Sequence, residues 1–168
     1  MTISNLARPA ATSLIESPIG PIAASVDGDG RLIRVEYADA RGDVVSKAVD
    51  SVADAFAAYF GGELEALDDV ATAAAGTTFQ QRVWAVLRAI PVGETTSYAD
   101  VAAEVGAPRA VRAVGRANAA NPIGIVVPCH RVVRSDGSLG GYGGGPDRKR
   151  WLLRHEGAID PELADAGC

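Results

Sequence analysis

The sequence predicts a mixed α/β protein of two lobes. Three observations carry that reading: β-rich runs around Asp27-Gly28-Asp29-Gly30, a helix–glycine turn–helix pattern before residue 119, and a β-branched run ending on Pro128-Cys129-His130. A chain of 168 residues with 48% apolar content has the material for a globular interior, as one domain or as two small lobes sharing a core.

Residues 1–12 read as a tail and residues 13–75 as the N-terminal α/β lobe. From 13 to 37 the chain alternates and turns: S-L-I-E-S-P-I-G-P-I-A-A-S-V, then D-G-D-G, then R-L-I-R-V-E-Y. That is a hairpin signal whose loop type four turn residues leave open. Between Val44 and Phe60 the period changes. Val45, Val49, Val52, Phe56 and Tyr59 or Phe60 recur at threes and fours, predicting an amphipathic helix stopped by Gly61-Gly62. The acidic, alanine-rich stretch from Leu64 to Ala75 reads as a surface connection.

A second lobe spans 76–157, followed by a C-terminal tail over 158–168. Thr77 or Thr78 caps a helix whose core face is Phe79, Val83, Val86, Leu87 and Ile90, with Trp84 also read as a core residue. Thr96 or Ser97 caps a short helix, Gly106-Ala107 turns, and Pro108 opens a second helix, R-A-V-R-A-V-G-R-A-N. Arg109, Arg112 and Arg116 fall on one stripe of it, beside the small residues Ala110, Ala113, Gly115 and Ala117. Such a face suits close approach to a duplex backbone; a packed helix with solvated arginines is the bland alternative. Gly137 to Gly145 forms a flexible loop, and Pro146 starts a last helix in which Trp151, Leu152 and His155 share a buried face.

The chemistry concentrates at I-G-I-V-V-P-C-H-R-V-V, Ile123 to Val133. Read as a buried strand, Ile125 to Val127 is stopped by Pro128, which leaves Cys129 at the break. His130 and Arg131 beside it are groups able to lower a thiol pKa, which favours a reactive cysteine over a packing one. Two cysteines 39 positions apart, with no C-x-x-C and no Cys/His ligand spacing, argue for a reducing cytosol and against a structural zinc. No signal peptide and no 18-residue apolar span is found, so neither export nor a membrane is expected.

Net charge is −5, unevenly spread. Residues 1–76 hold 5 basic and 12 acidic side chains, 77–157 hold 11 and 6, and 158–168 hold none and 3. The basic surplus coincides with the cysteine, which raises the expectation of a polyanionic partner there.

P-C-H-R-V, the preceding N-P-I-G-I-V-V, the R-A-V-G segment and the terminal W-L-L-R-H-E-G resemble the O6-alkylguanine-DNA alkyltransferases, the methylated-DNA–protein-cysteine methyltransferases, over residues 13 to 157. The resemblance implies a ribonuclease-H-like N-terminal α/β lobe and a mostly helical, winged-helix-like C-terminal lobe. It also implies a suicide methyltransferase of DNA repair: irreversible, single-turnover transfer of an alkyl group from O6-alkylguanine, and from O4-alkylthymine, in double-stranded DNA. No cofactor or metal is implied. The protein would act in the cytoplasm as a monomer, with clustering on DNA left open.

By motif position the resemblance makes Cys129 the nucleophile, His130 its base through a water, Glu156 the orienter of His130, and Asn121 the tie of the turn around the cysteine. Arg112 would fill the space left by the flipped nucleotide. Tyr98 would contact the flanking phosphate and donate to guanine N3. The carbonyls of Cys129 and Val132 would accept from the guanine amino group, the Gly143 N–H would face O6 beside Tyr142, and Ser135 would contact the strand. The second helix would enter the minor groove over Ala113 and Gly115. Arg116, Asn118 and Gly143 depart from the family pattern and bear on how bulky alkyl groups fit. Two other readings remain at this stage, a non-catalytic helix-turn-helix module and a cysteine hydrolase; Cys129 itself argues against the first, and the second needs an oxyanion hole and turnover.

Overall fold

The structure is a computed structural model that describes residues 8–38 and 50–159. The chain divides into two compact units between Ala75 and Gly76.

In the first unit, β1 (Ala11–Ile15), β2 (Ile22–Val26) and β3 (Leu32–Tyr37) form an antiparallel sheet in sequence order, with Ile15 opposite Ile22 and Ile22 opposite Tyr37. Pro18 and Pro21 cannot donate to a ladder, so the first β-rich run breaks into two strands between them. β1 already begins at Ala11, inside the stretch read as a tail. The Asp27 carboxylate closes the next loop by accepting from the N–H groups of Asp29 and Arg31 at 3.0 and 2.9 Å. Helix α1 (Asp50–Phe60) packs on β1 and buries Val52, Phe56 and Tyr59; Val45 and Val49 of the expected helix lie outside the described residues. The stretch after α1 is more than a surface connection. Leu67 is buried, and Leu32 exchanges backbone hydrogen bonds with Ala71 and Ala73 at 2.8 and 2.9 Å, which covers the start of β3.

The second unit contains α2 (Thr78–Arg88), β4 (Thr96–Ser97), α3 (Tyr98–Glu104), α4 (Val111–Ala119), β5 (Val132–Val133) and α5 (Pro146–His155). Thr77 caps α2 in a reciprocal box with Gln80, and Ser97 caps α3 in the same way with Asp100. Val83, Trp84, Leu87 and Ile90 are buried on the α2 side, while Phe79 and Val86 are only half-covered. Trp84 fixes α2 to α4. Its Nε1 donates to the Ala117 carbonyl at 2.8 Å, and its ring lies so close to Gly76 that a Cβ there would stand 2.5 Å away.

Gly106 at φ 75° ends α3, with Ala107 N–H returning to Ala102 O at 2.9 Å, and the chain turns into α4. Helix α4 starts at Val111, three residues later than Pro108 suggests, because residues 107–110 form a closed turn and Ala110 has no capping side chain. Arg109 therefore sits in the turn, and only Arg112 and Arg116 share the helix. In α5 the buried stripe is Lys149, Leu152, Leu153 and Glu156, spaced i, i+3, i+4, i+7. Trp151 and His155, expected on that face, are half-exposed and stack on one another with ring centres 4.7 Å apart.

Candidate active site

Pro122 and Pro128 remove two donors from the segment joining α4 to β5, so it cannot sustain a ladder. The strand expected over Ile125–Val127 does not form. Instead the Asn121 side chain ties a loop: Nδ2 donates to Val127 O at 2.8 Å, and Oδ1 accepts from Ile123 N–H at 3.1 Å. Val127 N–H closes it onto Ile123 O at 3.0 Å. Ile125 is held inside at φ 73°, a left-handed conformation costing about 1–2 kcal/mol, and its side chain is 2% exposed. Cys129–Arg131 then makes a single 3-10 turn, which directs successive side chains roughly 120° apart rather than to opposite faces. Only Val132 and Val133 pair, in parallel with Thr96 and Ser97, and this brings the start of α3, where Tyr98 lies, beside the cysteine turn.

Cys129 is 7% exposed. Burial pushes its thiol up, while hydrogen bonding from the Asn121 side chain and the positive charge of Lys149 pull it back down. The resting group is thus a thiol; His130 lowers it only through its backbone N–H, and the side chains of His130 and Arg131, which the reading from adjacency invoked, are not what tempers it. Both turn toward Glu156. His130 Nε2 lies 3.0 Å from Glu156 Oε1, and Arg131 grips the same carboxylate in a fork, Nε to Oε2 at 2.8 Å and Nη2 to Oε1 at 2.9 Å. A third Arg131 hydrogen bond reaches the Ile90 carbonyl at 2.5 Å, joining the end of α2 to this cluster.

The protonation states follow from these contacts. Hydrogen bonds from His130 and Arg131 hold Glu156 well below the usual carboxylate range despite its burial, and burial holds His130 below 6.5. Histidine is neutral at pH 7. Facing a carboxylate, Nε2 carries the proton, so the basic lone pair is on Nδ1, which has no partner among the described residues. Lys149, fully buried, donates from Nζ to Val132 O at 2.6 Å and to Gly141 O at 3.4 Å, and desolvation lowers its pKa to about 8. It remains mostly charged at neutral pH and faces the sulfur. Lysine in a helix reads as a solvated residue, so periodicity passes over Lys149.

These shifts fix how stability depends on pH. Glu156 and His130 both have depressed folded-state pKa values, so the unfolded chain binds more protons in acid. The stabilisation is complete above their ordinary values of 4.5 and 6.5 and is lost as the pH falls below each. Urea unfolding followed by circular dichroism should give falling stability from pH 6.5 downward, steepening below 4.5; a flat profile between pH 7 and 4 would remove the paired cluster as the cause.

A cavity of about 530 Å³ opens onto Cys129. Val111, Gly115, Asn118 and Ala119 of α4 line one side, Gly141, Tyr142 and Gly143 another, and Tyr98 and Arg134 stand with them. Tyr98 is half-buried; its phenol pKa is raised by burial and by the sulfur, and lowered in part by Arg134. Gly115, Gly141 and Gly143 have ordinary φ values, and a Cβ on any of them would meet no protein atom within 4 Å. Nothing inside the protein requires glycine there. Arg109, Arg112 and Arg116 are exposed and form no hydrogen bond or ion pair among the described residues. Ala113 is half-buried beside them, and Ser135 is exposed in the turn after β5, away from the cavity lining. The Val132 carbonyl, carried over as a guanine contact, is already engaged by Lys149 with one lone pair remaining. Among the described residues no cluster of potential metal ligands occurs, and no helix is long and apolar enough to cross a membrane.

Comparison with known proteins agrees with this geometry. The family model described as 6-O-methylguanine DNA methyltransferase, DNA binding domain, matches residues 78–158. The methylated-DNA–protein-cysteine methyltransferase of Salmonella typhimurium is 44% identical over 162 residues, covering 86% of this chain and 94% of that protein. The protein of the same name from Mycobacterium tuberculosis is 46% identical over 153 residues, covering 88% and 92%. The crystal structure of M. tuberculosis O6-methylguanine methyltransferase is similar with a TM-score of 0.78 at 43% identity, covering 90% of this chain and 94% of that one. A structure of the M. tuberculosis protein in complex with DNA gives 0.77 at 43% identity, covering 90% and 96%. With relatives so similar over nearly their whole length, and a buried cysteine set at a cavity beside a helix-turn-helix, the chain belongs to the methylated-DNA–protein-cysteine methyltransferases, DNA-binding repair enzymes that take an alkyl group onto a cysteine of their own.

Proposed function

We propose that Cys129 accepts the alkyl group of an O6-alkylguanine, or of an O4-alkylthymine, swung out of duplex DNA into the cavity beside α4. The observation that carries this is a buried thiol at the cavity floor, backed by a neutral imidazole whose free lone pair is Nδ1 and by a buried lysine cation.

The thiol proton passes through a water to His130 Nδ1, and the imidazolium formed is stabilised by Glu156, which Arg131 keeps ionised. Lys149 and Asn121 favour the thiolate. Sulfur attacks the saturated alkyl carbon as the bond from that carbon to O6 breaks, and the electron pair moves onto the guanine. Tyr98 donates a hydrogen bond from its hydroxyl to guanine N3 as that charge develops, and the proton taken up by His130 returns through solvent to the displaced guanine. The product is a thioether, whose saturated carbon offers water no carbonyl to attack, so each protein molecule acts once. A reducing cytoplasm suits this chemistry by keeping Cys129 free, and the protein needs no partner subunit to complete the site.

Arg112 on α4 fills the gap left in the stack. The open faces of Gly115 and Gly143 let a nucleic-acid strand and a base approach without a clash. Phosphate contacts come from the unpaired arginines of α4 and of the turn before it, Arg109, Arg112 and Arg116. Ser135 reaches the strand from its exposed turn.

Incubation with an O6-methylguanine duplex should add one methyl group per protein, located on Cys129 by peptide mass spectrometry; repeated turnover, or modification elsewhere, would refute the assignment. Arg112→Ala should slow reaction with lesion duplex by roughly 10²-fold or more, while free O6-benzylguanine reacts nearly as before, because unstacking costs a few kcal/mol that only duplex imposes. Equal losses on both would take the flipping role away from Arg112.

A further inference from the structure

Neither periodicity nor the family resemblance singles out Arg134, yet it lines the cavity over Cys129. It is the first residue after β5, and its backbone is fixed on both sides: its N–H donates to Ser138 O and its carbonyl accepts from Gly137 N–H, both at 2.9 Å. A Cβ placed on Gly140 would stand 3.4 Å from the Tyr98 hydroxyl and 3.5 Å from Arg134 Cγ, so these two side chains flank the same glycine. The guanidinium makes no hydrogen bond or ion pair among the described residues. Asp136, the acid whose carboxyl Arg134 helps to lower, makes no ion pair with it, lies exposed outside the cavity lining and accepts from Ser138 at 2.7 and 2.9 Å. No carboxylate lines the cavity. Arg134 instead opposes another cation, Lys149, which is buried behind the sulfur.

Two like charges around a cavity with no acid in its wall repel unless an anion joins them. Lys149 is committed to the Val132 carbonyl and the sulfur. Arg134 stands free at the rim, and its planar fork matches a phosphate oxygen pair. A nucleotide that carries its base into the cavity brings a phosphodiester on either side to that rim. We infer that Arg134 binds a backbone phosphate flanking the flipped nucleotide, holding the extruded state rather than creating it. This rests on the alkyl-transfer reading above, and the test separates the two.

The test uses three substrates carrying the same O6-benzylguanine lesion: duplex, single-stranded oligonucleotide and free base. Arg134→Ala should slow the duplex and the single strand by a similar factor, roughly ten- to a hundredfold, and far more than the free base, which has no phosphate. Arg112→Ala, in contrast, should spare the single strand, where nothing needs flipping. Replacing the flanking phosphates one at a time by neutral methylphosphonate should slow the unmodified protein at one position by the same factor and leave Arg134→Ala insensitive there. The salt slope of duplex binding should fall by roughly 0.9 in Arg134→Ala and be retained in Arg134→Lys. Equal losses on free base and oligonucleotide, or a methylphosphonate effect as large in the variant as in the unmodified protein, would overturn the role of Arg134. Absence of any alkyl group on Cys129 of the unmodified protein would overturn the reading beneath it instead.

Discussion

Cys129→Ala is expected to bind lesion-bearing duplex DNA as the unmodified protein does and to transfer nothing, and Cys129→Ser is expected to fall short by at least roughly 10³-fold in single-turnover rate. The alanine result separates binding from chemistry, since the side chain removed is small and buried, and the Asn121 hydrogen bonds to Val127 and Ile123 that tie the loop do not depend on it. The serine result tests the chemical argument more sharply. Displacement at a saturated carbon needs a polarisable anion, and here Asn121 and Lys149 offset only part of the burial that holds the thiol up. A hydroxyl starts many orders of magnitude less acidic, so Asn121 and Lys149 cannot supply enough charge stabilisation to make it an alkoxide. Rates are read by quenching single-turnover mixtures with excess protein and counting the alkyl groups left in DNA. A serine variant within tenfold of the unmodified protein would mean that the nucleophile lies elsewhere.

Much of the architecture was legible because its signals are local. Asp-Gly turns, the Thr77 and Ser97 boxes, Gly106 and the apolar spacing of Val52, Phe56 and Tyr59 act within a few residues, and the elements form where those signals lie. The cysteine loop reads as a strand in the sequence for an equally physical reason. β-branched residues favour extended backbone, but two prolines remove the donors a ladder requires, and the Asn121 amide offers the backbone a different partner. Helix α5 shows the opposite limit. Its buried stripe includes Lys149 and Glu156, and no pattern of apolar residues reveals charged groups that go inside because partners 8 to 26 positions away await them. The importance of Cys129 was visible in its neighbours in sequence; the side chains that offset its burial are those of Asn121 and Lys149, which only the fold brings near.

Glu156→Gln should be the most damaging change outside the nucleophile, and it should damage two things by one cause. The carboxylate is buried, receives the Arg131 fork and the His130 ring together, and links α5 through Arg131 to the end of α2. Glutamine keeps the shape and removes the charge, leaving the buried guanidinium uncompensated, a loss of about 3–5 kcal/mol. In chemistry the amide is worse than neutral. A carboxylate can only accept, so it forces the proton onto Nε2 and the lone pair onto Nδ1; an amide also donates, and with its N–H group toward Nε2 it selects the tautomer whose basic nitrogen points away from the thiol. Transfer to Cys129 should therefore fall by roughly 10²-fold or more, the usual contribution of a positioned base. The two effects separate by measurement: urea unfolding gives the stability loss, and reaction with free O6-benzylguanine well below the variant's melting temperature gives the chemical one. Glu156→Asp should recover the tautomer and part of the rate while remaining less stable, because the shorter carboxylate cannot meet both Arg131 nitrogens. If Glu156→Gln kept the original rate while unfolding more easily, Glu156 would be a brace for Arg131 and His130 would act without its help.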